Sequence, residues 1–241
     1  MPLLYHGNII AGNEIPRASL KVWLDPGVYE CYPGSGTTAY DLSGNGNDAT
    51  MTYSQLATTV PGVFEFQGTY TMDIPNLGSS FGQNDFSMCV WVNVDVYDDG
   101  ALLLCGHTTN SYGFDWVDTD EKLRFGVRDS DSSHIANLTG LQTNEWMFFA
   151  GVHNSGTDVR LYVADSTQGY DSPTMVQATD STGLSGLSES GVLQVGGIYR
   201  LGGSQHDEFD GSVGSILVYE KELSADEVNQ IYQVQRARYD V

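Results

Sequence analysis

Asp41, Ser43, Asn45, Asn47 and Asp48 set five side-chain oxygen donors around Gly44 and Gly46 within eight residues. Such a loop supports two chemistries. Its oxygens can take up the loop's own backbone amides as Asx-turns, or they can converge on a hard cation such as calcium. The opening Asp-x-Ser-x-Asn-Gly of Asp41 to Gly46 matches the start of an EF-hand loop. Its twelfth position, however, is Thr52 where a bidentate Glu is required, so an EF-hand is excluded. A calcium shell would instead take Asp41 and Asn47 with backbone carbonyls and a distant acid, for which Asp210 in Phe209-Asp210-Gly211 is the candidate. The metal-free turn and the calcium site both stay open at this point.

Other catalytic or cofactor patterns are weaker. Gly34 to Ala39 and Gly44 to Ala49 fit a loose dinucleotide fingerprint, but no helical pattern follows either one. No Gly-x-Ser-x-Gly elbow or Walker loop occurs. The histidines are scattered without metal-ligand spacing, and the Asp129/Asp131 and Asp118/Asp120/Glu121 groups read as charged hairpin tips. Asn137-Leu138-Thr139 is a glycosylation sequon by pattern alone. For sugar binding by ring stacking, Trp23, Trp91 and Trp146 sit inside strand patterns and read as core. Trp116, beside Asp115 and Asp118, is the candidate ligand contact, with Tyr112 near it.

The elements that must carry these residues are strands. Short β-branched and aromatic segments alternate with Gly, Asn, Asp and Ser clusters over most of the 241 residues, the pattern of an all-β sandwich. Strands are expected at 20–25, 63–66, 86–94, 101–105, 112–117, 123–127, 146–153, 159–164, 192–195 and 213–219. One segment differs: Ser224 with Glu227 forms a capping box, and Val228, Ile231 and Tyr232 share one face of a short amphipathic helix ending near Arg238. Residues 1–19 lack alternation and read as an N-terminal arm or an irregular edge strand, and 20–241 as one domain. Residues 181–190 read as a surface loop.

The formal net charge of −21 disfavours a phosphate-backbone partner. Scattered carboxylates suit a soluble surface, and can also supply calcium ligands or face a basic partner. No apolar run could span a bilayer and no secretory pattern follows Met1, so the expectation is a chain made in a cytoplasm without membrane insertion. Cys31, Cys89 and Cys105 cannot all pair within one molecule and are expected as reduced thiols, with Cys89 and Cys105 as small core residues.

Trp23-Leu24-Asp25, the run Tyr32 to Asn47, Phe86 to Val94, Asn144 to His153 and Phe209 to Val228 together resemble the laminin-G-like, concanavalin A-like jelly-roll family over residues 20–235. The resemblance implies two curved antiparallel sheets face to face, one short C-terminal helix and often a calcium ion near the loop carrying Asp41. The Tyr32 to Asn47 wording, with His6 to Ile10 before it, is further similar to small structural proteins of tailed bacteriophages. That implies a non-enzymatic virion component, a capsid decoration or other exterior protein, made in the host cytoplasm. Its partners would be other virion proteins such as the major capsid protein, in a homo-oligomer. The alternative is a calcium-dependent carbohydrate-binding module or adhesin tip contacting a cell-surface glycan. Hydrolases of the same fold use Glu-x-Asp-x-x-Glu on one strand. Here only Glu208-Phe209-Asp210 stands, and Val213 occupies the place of the second Glu, so catalysis by that route is not expected.

Overall fold

A computed structural model describes residues 14–52, 62–68, 70–75, 77–78, 80–96, 100–106, 110–117, 122–129, 132–180, 191–197 and 209–241. In chain order its strands are β1 (Leu20–Leu24), β2 (Thr38–Ala39), β3 (Ala49–Met51), β4 (Phe64–Phe66), β5 (Met72–Ile74), β6 (Phe86–Val96), β7 (Gly100–Gly106) and β8 (Ser111–Val117). They continue with β9 (Lys122–Arg128), β10 (Ser133–Leu138), β11 (Trp146–Asn154), β12 (Asp158–Asp165), β13 (Gly169–Asp180), β14 (Leu193–Val195) and β15 (Asp210–Tyr219), before the helix α1 (Ala225–Gln235). One sheet runs β1-β15-β6-β11-β12-β13, with β4 also on β15, and the other runs β10-β9-β8-β7-β14-β5-β3-β2. Every pairing among the described residues is antiparallel. The expected two-sheet jelly-roll sandwich with one C-terminal helix is the observed fold.

The first sheet is buried on both faces, which is why β6, β11 and β15 read as nearly continuous apolar runs rather than alternating ones. Met88, Val90, Val92 and Val94 point with Phe149, Val213, Ile216 and Val218 into the core between the sheets. Cys89, Trp91, Phe148, Ala150, Leu217 and Tyr219 point the other way into a second core closed by Val228, Ile231 and Tyr232 of α1. The sheets approach so closely at Gly151 that a Cβ there would enter the Phe125 ring. All three cysteines are free and buried, and burial pushes the Cys31 thiol up to about 12, which leaves it protonated and inert.

Helix α1 starts as its sequence dictates. Ser224 Oγ accepts from Glu227 N at 3.2 Å and Glu227 Oε2 accepts from Ser224 N at 3.0 Å. Of the expected N-terminal arm, residues 1–13 lie outside the described residues. Residues 14–19 pack on this second core, where Ile15 is buried and Tyr219 donates its hydroxyl to Pro16 O at 3.0 Å. No helix among the described residues is long and apolar enough to cross a membrane.

Candidate functional site

The oxygen-rich loop is an edge staple for β1. A register shift between Leu20 and Val22 marks a bulge at Lys21 on this edge strand, leaving carbonyls that no neighbouring strand receives. Lys21 O accepts from Asn45 Nδ2 at 3.1 Å and Asn47 Nδ2 at 2.8 Å, while Leu20 O accepts from Asn45 Nδ2 at 2.8 Å. Asp41 holds the loop from inside. Its Oδ1 accepts from Trp23 N at 3.0 Å and Ser43 N at 2.9 Å, and its Oδ2 from Ser43 Oγ at 2.6 Å and Asn47 N at 3.1 Å. Gly44 and Gly46 permit the reversal, with φ of 89° and 76°.

The three residues expected as calcium ligands are not brought together. Four donors already occupy the Asp41 carboxylate. Asp41 meets β1 at Trp23, which pairs with Leu217, whereas Asp210 opens β15 seven residues earlier, on the order of 20 Å away at the ordinary strand rise. Asp41, Asn47 and Asp210 therefore do not fit one coordination shell.

The two aromatic candidates lie inside the sandwich. Trp116 and Tyr112 are 1% and 2% exposed and belong to the core between the sheets. Trp116 meets Phe149 edge-on at 5.8 Å, and Tyr112 packs against Phe81 and Phe86 at 5.6 and 5.3 Å. Their neighbour Asp115 faces the opposite side of β8, where Arg124 binds it through both carboxylate oxygens. Large side chains that do reach solvent include Tyr29 and Tyr40, 64% and 48% exposed, on the two limbs of a loop closed by Tyr40 N to Cys31 O at 2.7 Å.

From the staple, Lys21 turns its ammonium to Glu220 at 2.7 Å. Glu220 is one wall of an open cleft of about 450 Å³ lined by Asn84, Asp85, Ser155, Glu220 and Lys221. These residues come from three distant segments, brought together because β15 lies beside β6 and β6 beside β11. Sequence motifs gave no signal for this site, since only the strand order assembles it.

Hydrogen bonds fix each wall. Ser155 N donates to Asp85 Oδ1 and Ser155 Oγ to Gln83 O, both at 2.8 Å. Ser87 Oγ donates to Lys221 O at 2.9 Å and accepts from Leu223 N at 3.0 Å, while Lys221 Nζ pairs with Glu227. Beside the cleft, Arg160 bridges Asp158 and Glu222, and Asn154 Nδ2 donates to Glu222 Oε2 at 2.6 Å. The hydrogen bond from Arg160 holds the Glu222 carboxyl below its usual pKa.

Behind the cleft His153, 1% exposed, donates Nδ1–H to Asn84 O at 3.0 Å, which leaves Nε2 as a bare acceptor with no hydrogen-bond partner. Burial lowers its pKa, opposed by the Asn84 bond and by Asp85. The unfolded imidazole therefore takes up its proton first. Stability from this group is full above the unfolded value near 6.5 and is lost as pH falls through it toward the folded pKa. Thermal unfolding from pH 8 to 5 should show the melting temperature falling, with a shallower fall in His153→Phe. An unchanged slope in the variant would refute that assignment.

Searches of known proteins place the fold. A laminin-G family profile described as the concanavalin A-like lectin/glucanases superfamily matches residues 66–229. A search of curated protein sequences gives no match. Among solved structures, the binding domain of botulinum neurotoxin DC in complex with SialylT superposes with a TM-score of 0.64 at 14% identity, over 90% of this chain and 52% of that one. Trypanosoma rangeli sialidase in complex with sialic acid gives 0.64 at 15% identity, over 93% and 34%. A botulinum neurotoxin type C structure, described by cell entry dependent upon interaction with two ganglioside molecules, gives 0.64 at 16%, over 89% and 51%. The chain thus spans about half the length of the neurotoxin chains and a third of the sialidase. At these identities the likeness is one of fold, while the profile covers most of the sandwich from β4 into α1, so the chain belongs to the concanavalin A-like lectin/glucanases superfamily.

Proposed function

We propose that this domain is a carbohydrate-binding module without catalytic activity. The observation that carries the reading is the cleft. Its five lining side chains all carry hydrogen-bonding groups, and its walls are held by bonds made within the protein, which suits a polyhydroxylated ligand and lowers the ordering cost of binding. Structural neighbours solved with sialic acid or described by ganglioside interaction support the same reading. Exposed Tyr29 and Tyr40 offer flat apolar faces for further sugar contact. Against turnover stands Val213, buried in the core at the position where hydrolases of this fold carry an acid. The similarity of Tyr32 to Asn47 to tailed-phage structural proteins suggests the exterior of a virion as the setting, which particle proteomics would test.

Glycan-array binding by the purified protein tests the function. Asp85→Ala and Glu220→Ala should each weaken binding about tenfold, the loss of one charge-assisted hydrogen bond, with melting temperature showing that the fold is kept. Binding to no glycan, or binding indifferent to both variants, would sink the proposal.

A further inference from the structure

We propose that the cleft selects uncharged sugars and turns away acidic ones, sialic and uronic acids included. This rests on the carbohydrate-binding reading and names its ligand class. The lining brings two carboxylates, Asp85 and Glu220, to the ligand. Its one cation, Lys221, is already held by Glu227, and the nearby Lys21 is held by Glu220. On the flank, Arg160 lies between Asp158 and Glu222.

The cleft and its flank therefore gather Asp85, Asp158, Glu220, Glu222 and Glu227 against Lys21, Lys221 and Arg160, with every one of those cations paired. Arg17 lies over Trp23, Arg124 is bound to Asp115 and Arg238 to Asp25. Arg128 stands in β9 of the other sheet, opposite Ser111 and Ser133, and does not line the cleft.

A sugar carboxylate entering here would meet two like charges and would have to break an ion pair to gain a cation. Its approach is opposed further by the net charge of −21. Sugar hydroxyls, by contrast, can donate to Asp85 and Glu220 and both donate to and accept from the Asn84 amide. The selectivity is repulsive in origin, so it should respond to salt and to the removal of charge.

The test compares each neutral glycan bound on the array with its sialylated or uronate-bearing counterpart at low and high salt, using the whole chain. The acidic counterpart should bind at least about tenfold more weakly at low salt. That gap should narrow at high salt and in the double variant Asp85→Asn/Glu220→Gln, judged by the ratio of the two affinities. Equal or tighter binding of the acidic glycans overturns the inference while leaving carbohydrate binding intact, and so does a gap that ignores both salt and the double variant. If the folded protein binds no glycan of either kind, the carbohydrate reading itself fails and the inference falls with it.

Discussion

Trp91→Ala should lower the stability of the domain by about 4 kcal/mol, in the range found for large aromatic side chains removed from packed cores. For a chain of this size that is a fall of roughly 10 °C in melting temperature. The indole lies fully buried on the outward face of β6, stacked at 4.2 Å on Tyr239 and at 5.4 Å on Tyr232, both at interplanar angles of 16°. Its Nε1 donates to Gln235 Oε1 at 3.0 Å, and Gln235 passes the chain on to Ser215 Oγ at 2.8 Å. Alanine would remove the ring that both tyrosines cover and leave Gln235 short of a donor. Trp91→Phe keeps much of the stack and loses the hydrogen bond, so it should cost about 1–2 kcal/mol. Urea unfolding would measure both. A Trp91→Ala protein within 1 kcal/mol of the parent would show that the helix contributes little to holding the sandwich, contrary to the packing.

That same packing explains what could be read from the sequence. β6, β11 and β15 were legible because strands covered on both sides become long apolar runs, and α1 because Ser224 and Glu227 announce its start. β2, β3 and β5, of two or three residues, are too short to show a period. β13 escaped for another reason. Gly169 to Asp180 is polar and carries Pro173, as befits a sheet edge, and it meets β10 through side chains. Gln177 Oε1 accepts from Asn137 N at 2.6 Å, and Thr179 Oγ1 donates to Ile135 O at 3.2 Å.

The site residues were harder. Trp116 was expected at a surface because aspartates flank it, yet Tyr112, Phe114 and Trp116 are spaced by two and so share a face. That period predicts the core position they hold, and Asp115 on the other face finds Arg124 across the β8–β9 pair. The cleft had no comparable signal. Asn84, Ser155 and Glu220 are ordinary polar residues at strand ends, and nothing local distinguishes them from any other turn residue. Their meaning comes from the order β15-β6-β11, a long-range property of the sheet.

Asp41→Ala should destabilise the domain by about 3 kcal/mol, because the Trp23, Ser43 and Asn47 amides all lose their acceptor at once and the half-buried loop admits water to only some of them. Loosening of the staple would also uncover Leu20 O and Lys21 O on the β1 edge, so the variant should aggregate more readily than the parent. Asp41→Asn tests the charge separately. One oxygen can still accept, but the amide would point a donor at groups that also donate, so most of the loss should remain. The same experiment decides between hydrogen bonding and metal as the basis of the loop. With the carboxylate saturated by three amides and the Ser43 hydroxyl, EDTA should leave the melting temperature of the parent protein unchanged and added calcium should not raise it. A chelator-induced fall comparable with the effect of Asp41→Ala would mean that a cation, rather than the loop's own amides, holds this edge of the sandwich together.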